Sequence, residues 1–290
     1  MNATSFTSSE SLNVSDPLPN AAERRDYAQD HAAGRLPLVE YDRTHRVAPA
    51  KTFLGRVGDW LQDVVESWMM PYSVLGDRPV FDNQHFPWVD EVESGWKAVR
   101  EELDHVLQYR DQMPSFQDIV KEVGAIQTDD QWKTFFLKGV GMDCHENASR
   151  CPKTMELLSK VPNVSTAFFS ILSPGKHIPS HRGGYSGVLR LHLGLLVPEP
   201  REKVWIRVAN QNCNWQEGKA LIFDDTWNHE VWNNTDGYRV VLFVDFERPL
   251  SWPWNRINHT VMNLVPLAPF LREAKVKEKT WAEKMWGKKG

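Results

Sequence analysis

The hydrophobic positions of the chain change period twice. Residues 1–50 are rich in Ser, Asn, Asp, Arg and Pro and keep no sustained apolar spacing, which predicts a disordered arm. Then Leu54, Val57, Trp60, Leu61, Val64, Val65 and Trp68 recur at steps of three and four, one face of an amphipathic helix. Val89, Val92, Trp96, Val99, Leu103, Val106 and Leu107 repeat the pattern, and both stripes are expected to pack on a core. Past residue 130 the pattern shortens to strand-length apolar runs: Trp132–Leu137, Val164–Leu172, Val188–Val197, Val204–Val208, Ala220–Phe223 and Tyr238–Phe246. Turn clusters separate them, such as Ser173-Pro174-Gly175, Arg182-Gly183-Gly184 and Asn233 to Gly237. Many short strands at this spacing predict a sandwich or barrel, of which a double-sheet jelly roll is one solution. The division is then a helical support region over 51–130, a mainly β domain over 131–250, and a tail over 251–290 that is lysine-rich and helical from Leu271.

Composition narrows the setting. A formal charge of −4 over 290 residues gives no footprint for nucleic acid. Cys144, Cys151 and Cys213 are an odd count without metal-site spacing, so no disulfide framework is expected and a reducing compartment, the cytoplasm, is the simpler setting. The polar, acidic start does not read as a secretory signal, and no apolar run reaches the roughly 18 residues of a membrane span.

Polar residues inside strands carry the chemistry. Arg190 and His192 are two apart in Val188–Val197 and so share a face, opposite Leu189, Leu191 and Leu193. Arg239 opens a strand that is otherwise almost wholly apolar. Two arginines facing one cavity suit a dicarboxylate, because guanidinium matches carboxylate in a bidentate fork; structural ion pairs are the competing reading. His181 sits in a loop leading into the first of these strands, and His229 follows 48 residues later. Two histidines are two-thirds of the facial triad of oxygen-activating iron sites. The usual carboxylate two residues after the first histidine is missing, since Gly183 stands there.

From about Trp132 to Pro249 the chain resembles the aspartyl/asparaginyl β-hydroxylase family. The resemblance is carried in order by Cys151-Pro152-Lys153-Thr154, Ser173-Pro174-Gly175, His181-Arg182, Leu189 to Leu195, Phe223-Asp224-Asp225-Thr226, His229 and Tyr238-Arg239-Val240. Within the family the pattern is most similar to bacterial lipid A 2-hydroxylases, through Gly187 to Arg190, Asn233-Asn234-Thr235 and Asp245 to Pro249. The resemblance implies a cupin-like double-stranded β-helix that uses Fe(II), 2-oxoglutarate and O2. It implies His181 and His229 as iron ligands, Arg239 and Ser170 on the distal carboxylate of 2-oxoglutarate, and Arg190 and His192 at the same end of the pocket. Asp224 and Asp225 are expected either to orient the loop bearing His229 or to serve only its turn. Gly183 matches the animal peptide hydroxylases, where water takes the third place; lipid A hydroxylases carry Asp there. An aspartate introduced at 183 is therefore expected to reach the metal. The expected substrate is an Asp- or Asn-type residue or amino acid hydroxylated at Cβ; the alternative is an acyl chain on a lipid hydroxylated at C2. Halogenation and a non-catalytic binding module are minor alternatives. The alternative to packing for the Leu54–Trp68 stripe, and to a solvated end for Trp281, Met285 and Trp286 among the lysines of the tail, is peripheral contact with a membrane.

Overall fold

The computed structural model describes residues 53–264 and 271–286, so the arm expected over residues 1–50 lies outside the described residues. The strands are β1 (Val80–Phe81), β2 (Trp132–Lys138), β3 (Val164–Leu172), β4 (His177–His181), β5 (Val188–Leu196), β6 (Val204–Val208), β7 (Gln211–Asn214), β8 (Ala220–Phe223), β9 (His229–Asn233) and β10 (Arg239–Glu247). The helices are α1 (Phe53–Met69), α2 (Val89–Ser94), α3 (Trp96–Leu107), α4 (Phe116–Ile119), α5 (His145–Ala148), α6 (Pro152–Leu158), α7 (Trp254–Leu264) and α8 (Leu271–Trp286). Two antiparallel sheets face each other: six strands in the order β1-β8-β5-β10-β3-β2, and four in the order β4-β9-β6-β7. This is the jelly roll that strand spacing and resemblance predict.

The six predicted strands are present within a residue or two; of four more, β1 is only two residues long and the others are masked by their composition. β7 is Gln-Asn-Cys-Asn and β9 is His-Glu-Val-Trp-Asn, so neither forms an apolar run. The expectation of a loop at His181 is corrected: it is the last residue of β4, whose Pro and two His mask a ladder with β9 that shifts register between Ile178 and His181.

The large sheet is covered on both faces, which is why β3, β5 and β10 are buried almost continuously. Its outer face presents Leu189, Leu191, Leu193 and Leu195 of β5 and Val240, Leu242, Val244 and Phe246 of β10 to Val99, Leu103 and Val106 of α3. Here the second sequence stripe packs as expected. Its inner face presents Phe168, Leu172, Val241 and Phe243 to Ile178, Ile206, Val208 and Val231 of the small sheet. A buried carboxylate ties the helices together: Glu102 of α3 accepts from the Lys153 and Thr154 amides at the start of α6, both at 2.8 Å, and from the Thr154 hydroxyl at 2.6 Å. Pro152 opens α6 where its missing N–H costs nothing, so Cys151-Pro152-Lys153-Thr154 is a helix start, remote in role from the chemistry.

Two expectations are corrected. The stripe of α1 does not pack on the core; Val57, Trp60, Leu61, Val65 and Trp68 are exposed, while Glu66 and Met69 are buried. The tail turns its aromatic residues towards the domain, where they are half-buried rather than solvated. Trp286 stacks edge-on against Tyr109 and Phe135, lies under the Arg150 guanidinium at 3.8 Å and donates to Asn147 at 2.8 Å; Trp281 and Met285 also pack against the domain. Among the described residues no helix is long and apolar enough to cross a membrane, and the three cysteines are free and buried.

Candidate active site

His181 closes β4 and His229 opens β9, and the ladder between these strands makes them direct partners, with ring centroids 4.2 Å apart. Each ring is aimed by a backbone carbonyl two residues earlier: Nδ1 of His181 donates to Pro179 O at 2.7 Å, and Nδ1 of His229 to Trp227 O at 3.0 Å. A carbonyl only accepts, so both protons sit on Nδ1 and both Nε2 atoms carry lone pairs. Burial pulls the His181 pKa down to about 4 and that of His229 well below its usual value. Two neutral, oriented imidazoles side by side are the donor set that suits a divalent iron. Among the described residues no third His, Cys, Asp or Glu joins them in a metal-holding group.

The place of the missing carboxylate is filled. A Cβ on Gly183 would lie 2.0 Å from Oδ2 of Asp225, and the Gly183 amide donates to Asp225 O at 2.7 Å. Asp225 thus joins the loops that follow His181 and precede His229. Its carboxylate is paired with Arg190 at 2.7 Å, and burial raises its pKa to about 7. Asp224 has the turn role: it accepts from the Thr226 amide at 2.9 Å and hydroxyl at 2.5 Å, and it pairs with fully buried Arg248. The side chain of an aspartate at 183 would meet the Asp225 carboxylate, so its reach towards the metal depends on Asp225 giving way.

The other predicted residues line the inner face of the large sheet. Arg239 is opposite Leu172 and Val241 opposite Ser170, which places Arg239 and Ser170 on one face; His192 is opposite Phe243 on the same face. Ser170 Oγ accepts from Trp132 Nε1 at 2.9 Å, which leaves its hydroxyl proton for another acceptor. Both ring nitrogens of His192 lack a protein partner. Burial, then the Arg239 and Arg190 charges, hold its pKa well below the usual value. The two arginines divide sharply. Arg190 is committed, with Nε 2.8 Å from Asp245 and Nη2 shared between Asp245 and Asp225. Arg239 is 1% exposed, its guanidinium lies 4.6 Å above the Trp215 ring, and its Nε and Nη1 find no acceptor. Burial without a carboxylate partner pulls its pKa down to about 9. A buried cation in that state is the recognition element for an anion that the protein does not itself supply.

Sequence reading missed a buried polar cluster beside the histidines. Arg182, 4% exposed and next to His181, donates to Glu66 of α1 at 2.9 Å, and Glu66 also accepts from the Ser186 hydroxyl at 2.8 Å. Burial opposes ionisation of Glu66, but hydrogen bonds from Gln62 and Ser186 and the Arg182 charge outweigh it and lower its pKa. The signal was present as two polar residues, Gln62 and Glu66, at helical spacing beside an apolar stripe. A cavity of about 890 Å³ opens here, walled by Asp63, Glu66, Ser67 and Met70 on one side and Arg182 and Ser186 on the other.

A jelly roll with two aligned histidines and an unpaired arginine between its sheets defines a class of oxygen-using enzymes rather than one protein. Sequence comparison narrows the class: residues 93–249 match the family model described as aspartyl/asparaginyl beta-hydroxylase. The chain is 51% identical over 273 residues to an ornithine lipid ester-linked acyl 2-hydroxylase of Rhizobium tropici, covering 94% of each protein. It is 35% identical over 174 residues to human aspartyl/asparaginyl beta-hydroxylase, a match that spans 58% of this chain and 22% of the human one. Among solved structures, a prolyl hydroxylase of Trichoplax adhaerens bound to a peptide matches 73% of this chain and 97% of its own, at 13% identity and TM-score 0.39. This chain belongs to the aspartyl/asparaginyl β-hydroxylase family, and it is a hydroxylase.

Proposed function

We propose that the enzyme is an Fe(II)- and 2-oxoglutarate-dependent hydroxylase that acts on C2 of an ester-linked acyl chain of a membrane lipid. The observation that carries the cosubstrate is Arg239, a buried guanidinium with two unpartnered nitrogens, on the same sheet face as Ser170 and His192. These three would hold the distal carboxylate of 2-oxoglutarate, and His181 and His229 would hold iron through Nε2. Iron with 2-oxoglutarate supplies the activation of O2 that an unactivated C–H needs. The protein orients: Pro179 O and Trp227 O fix the imidazoles, Trp132 fixes the Ser170 hydroxyl, and Asp225 with Arg190 holds the two ligand loops together. It also excludes water, since Ser170, His181, His192, His229 and Arg239 are all buried.

The acyl substrate is supported by the end-to-end match with the ornithine lipid hydroxylase, which extends through the helices outside the jelly roll. An Asp- or Asn-type substrate is the second reading, favoured by Gly183 in place of a third ligand and by the match to the human enzyme over the catalytic region. Purified protein with iron, 2-oxoglutarate and O2, offered ornithine lipid or an Asp-containing peptide, separates the two by which product gains one oxygen atom. Replacing either His181 or His229 with Ala abolishes both iron retention and turnover, whereas His177→Ala, altering a neighbour on the same strand, leaves both in place.

A further inference from the structure

α1 is mounted inside out. Its polar side faces the protein: Glu66 is buried against Arg182 and Ser186, and Gln62 donates to Glu66 at 2.7 Å and to the Gly184 carbonyl. Its apolar side faces outward, with Trp60 61% and Trp68 63% exposed and Leu61 half exposed. The outward apolar surface does not stop at the helix end. Tyr72 and Val74 continue it, and Val74 is hydrogen-bonded to Pro249 O beside Trp252, which is 77% exposed. Most of the large hydrophobic side chains exposed among the described residues lie on these two adjoining segments and on α7, which follows. Soluble surfaces rarely gather apolar side chains in this way without a partner.

We infer that this face seats on a lipid bilayer and that α1 delivers the acyl substrate to the cavity beneath it. The inference rests on the acyl-lipid reading above and names the surface that reading requires. Three observations select a bilayer. The stripe is rich in Trp, whose amphipathic ring settles at the boundary between headgroups and acyl chains. The helix that carries it also walls the 890 Å³ cavity with Asp63, buried Glu66 and Ser67, and Arg182, the neighbour of His181, stands on the opposite wall. A lipid drawn from a bilayer at α1 would enter a cavity that the same helix walls. Finally, α1 carries Arg56 against Asp59, Asp63 and Glu66, so its attachment is apolar rather than an attraction to anionic headgroups. That distinguishes it from the lysine-rich tail, whose tryptophans are already packed.

The test is co-sedimentation of the full chain with phosphatidylcholine vesicles at low and high salt, comparing wild type with Trp60→Ser/Trp68→Ser. Wild type is expected to bind at both salt concentrations, with Trp fluorescence shifting to the blue. The double variant should bind at least about tenfold more weakly for each tryptophan removed, with an unchanged thermal midpoint because both side chains are exposed. Wild type that fails to sediment, or a double variant that sediments equally, overturns the inference. So does a dimer that the double variant dissociates, which would assign the face to a second copy. So does cross-linking from position 60 into residues 1–52. Turnover on detergent-dispersed lipid separates the two layers of the argument. Vesicle binding without such turnover removes the substrate reading and keeps the surface; turnover without vesicle binding removes the surface and keeps the substrate.

Discussion

Replacing Arg239 with Met should move two quantities in opposite directions. In the free protein the guanidinium is 1% exposed, has two unpartnered nitrogens and touches Trp215 rather than a carboxylate. Removing an uncompensated buried charge for an apolar side chain of similar length is expected to stabilise the ligand-free fold by about 1–4 kcal/mol, within the range seen when buried ionic groups are replaced by hydrophobic ones. At the size of this domain that raises the melting midpoint by at least about 2 °C. Binding of 2-oxoglutarate should suffer by about 3–5 kcal/mol, because the cosubstrate carboxylate would be left buried without its partner. At about 1.4 kcal/mol per decade, that is roughly a 150- to 5,000-fold rise in Kd. Arg239→Lys should recover only part, since one ammonium cannot reproduce the planar fork. Calorimetric titration of metal-loaded protein with 2-oxoglutarate, beside scanning calorimetry of the ligand-free variants, reads both effects. A Met variant that binds normally, or that is strongly destabilised without ligand, would show that Arg239 is a structural residue and refute the reasoning.

Gly183→Asp should lower stability and iron retention, because even its Cβ collides with the Asp225 carboxylate, and Gly183→Asp/Asp225→Gly should regain iron binding; metal content after gel filtration decides it. His181 and His229 have folded-state pKa values depressed by burial, so the unfolded chain binds more protons, and the stability of metal-free protein should fall as pH drops from about 6.5 towards 4. A midpoint that stays level through that window would mean the imidazoles are not buried neutral. Glu66→Gln removes the carboxylate that holds Arg182 and Ser186, and is expected to cost about 3–5 kcal/mol at the α1 anchor, seen as protease sensitivity within α1 while the jelly roll stays intact.

The jelly roll was legible because six of its strands are apolar runs with both faces buried, and because polar intrusions within them, Arg190, His192 and Arg239, stand out against that background. The strands that carry the histidines were not legible as strands. β4 and β9 are short, mixed in polarity and built around His181 and His229, so their periodicity is overwritten by the residues that function needs. Spacing also could not separate the two arginines. Arg190 finds Asp225 and Asp245 from distant parts of the chain, whereas Arg239 finds no carboxylate, and that difference exists only once the sheets are assembled. The α1 stripe was read correctly as amphipathic and wrongly as inward-facing. A 3.6-residue period reports that a helix has two faces and leaves open which one the protein keeps; here Arg182 and Ser186 claim the polar one.

The two-histidine site is proposed to hydroxylate a lipid acyl chain at the expense of 2-oxoglutarate. The direct measurement is mass spectrometry of ornithine lipid after incubation with the iron-loaded enzyme, with succinate quantified in the same reaction. One added oxygen atom is expected at C2 of the ester-linked chain, in equal amount to succinate, and none with His229→Ala. Succinate formed with oxygen appearing only on an Asp- or Asn-containing peptide would contradict the acyl assignment, and product formed without succinate would contradict the cosubstrate.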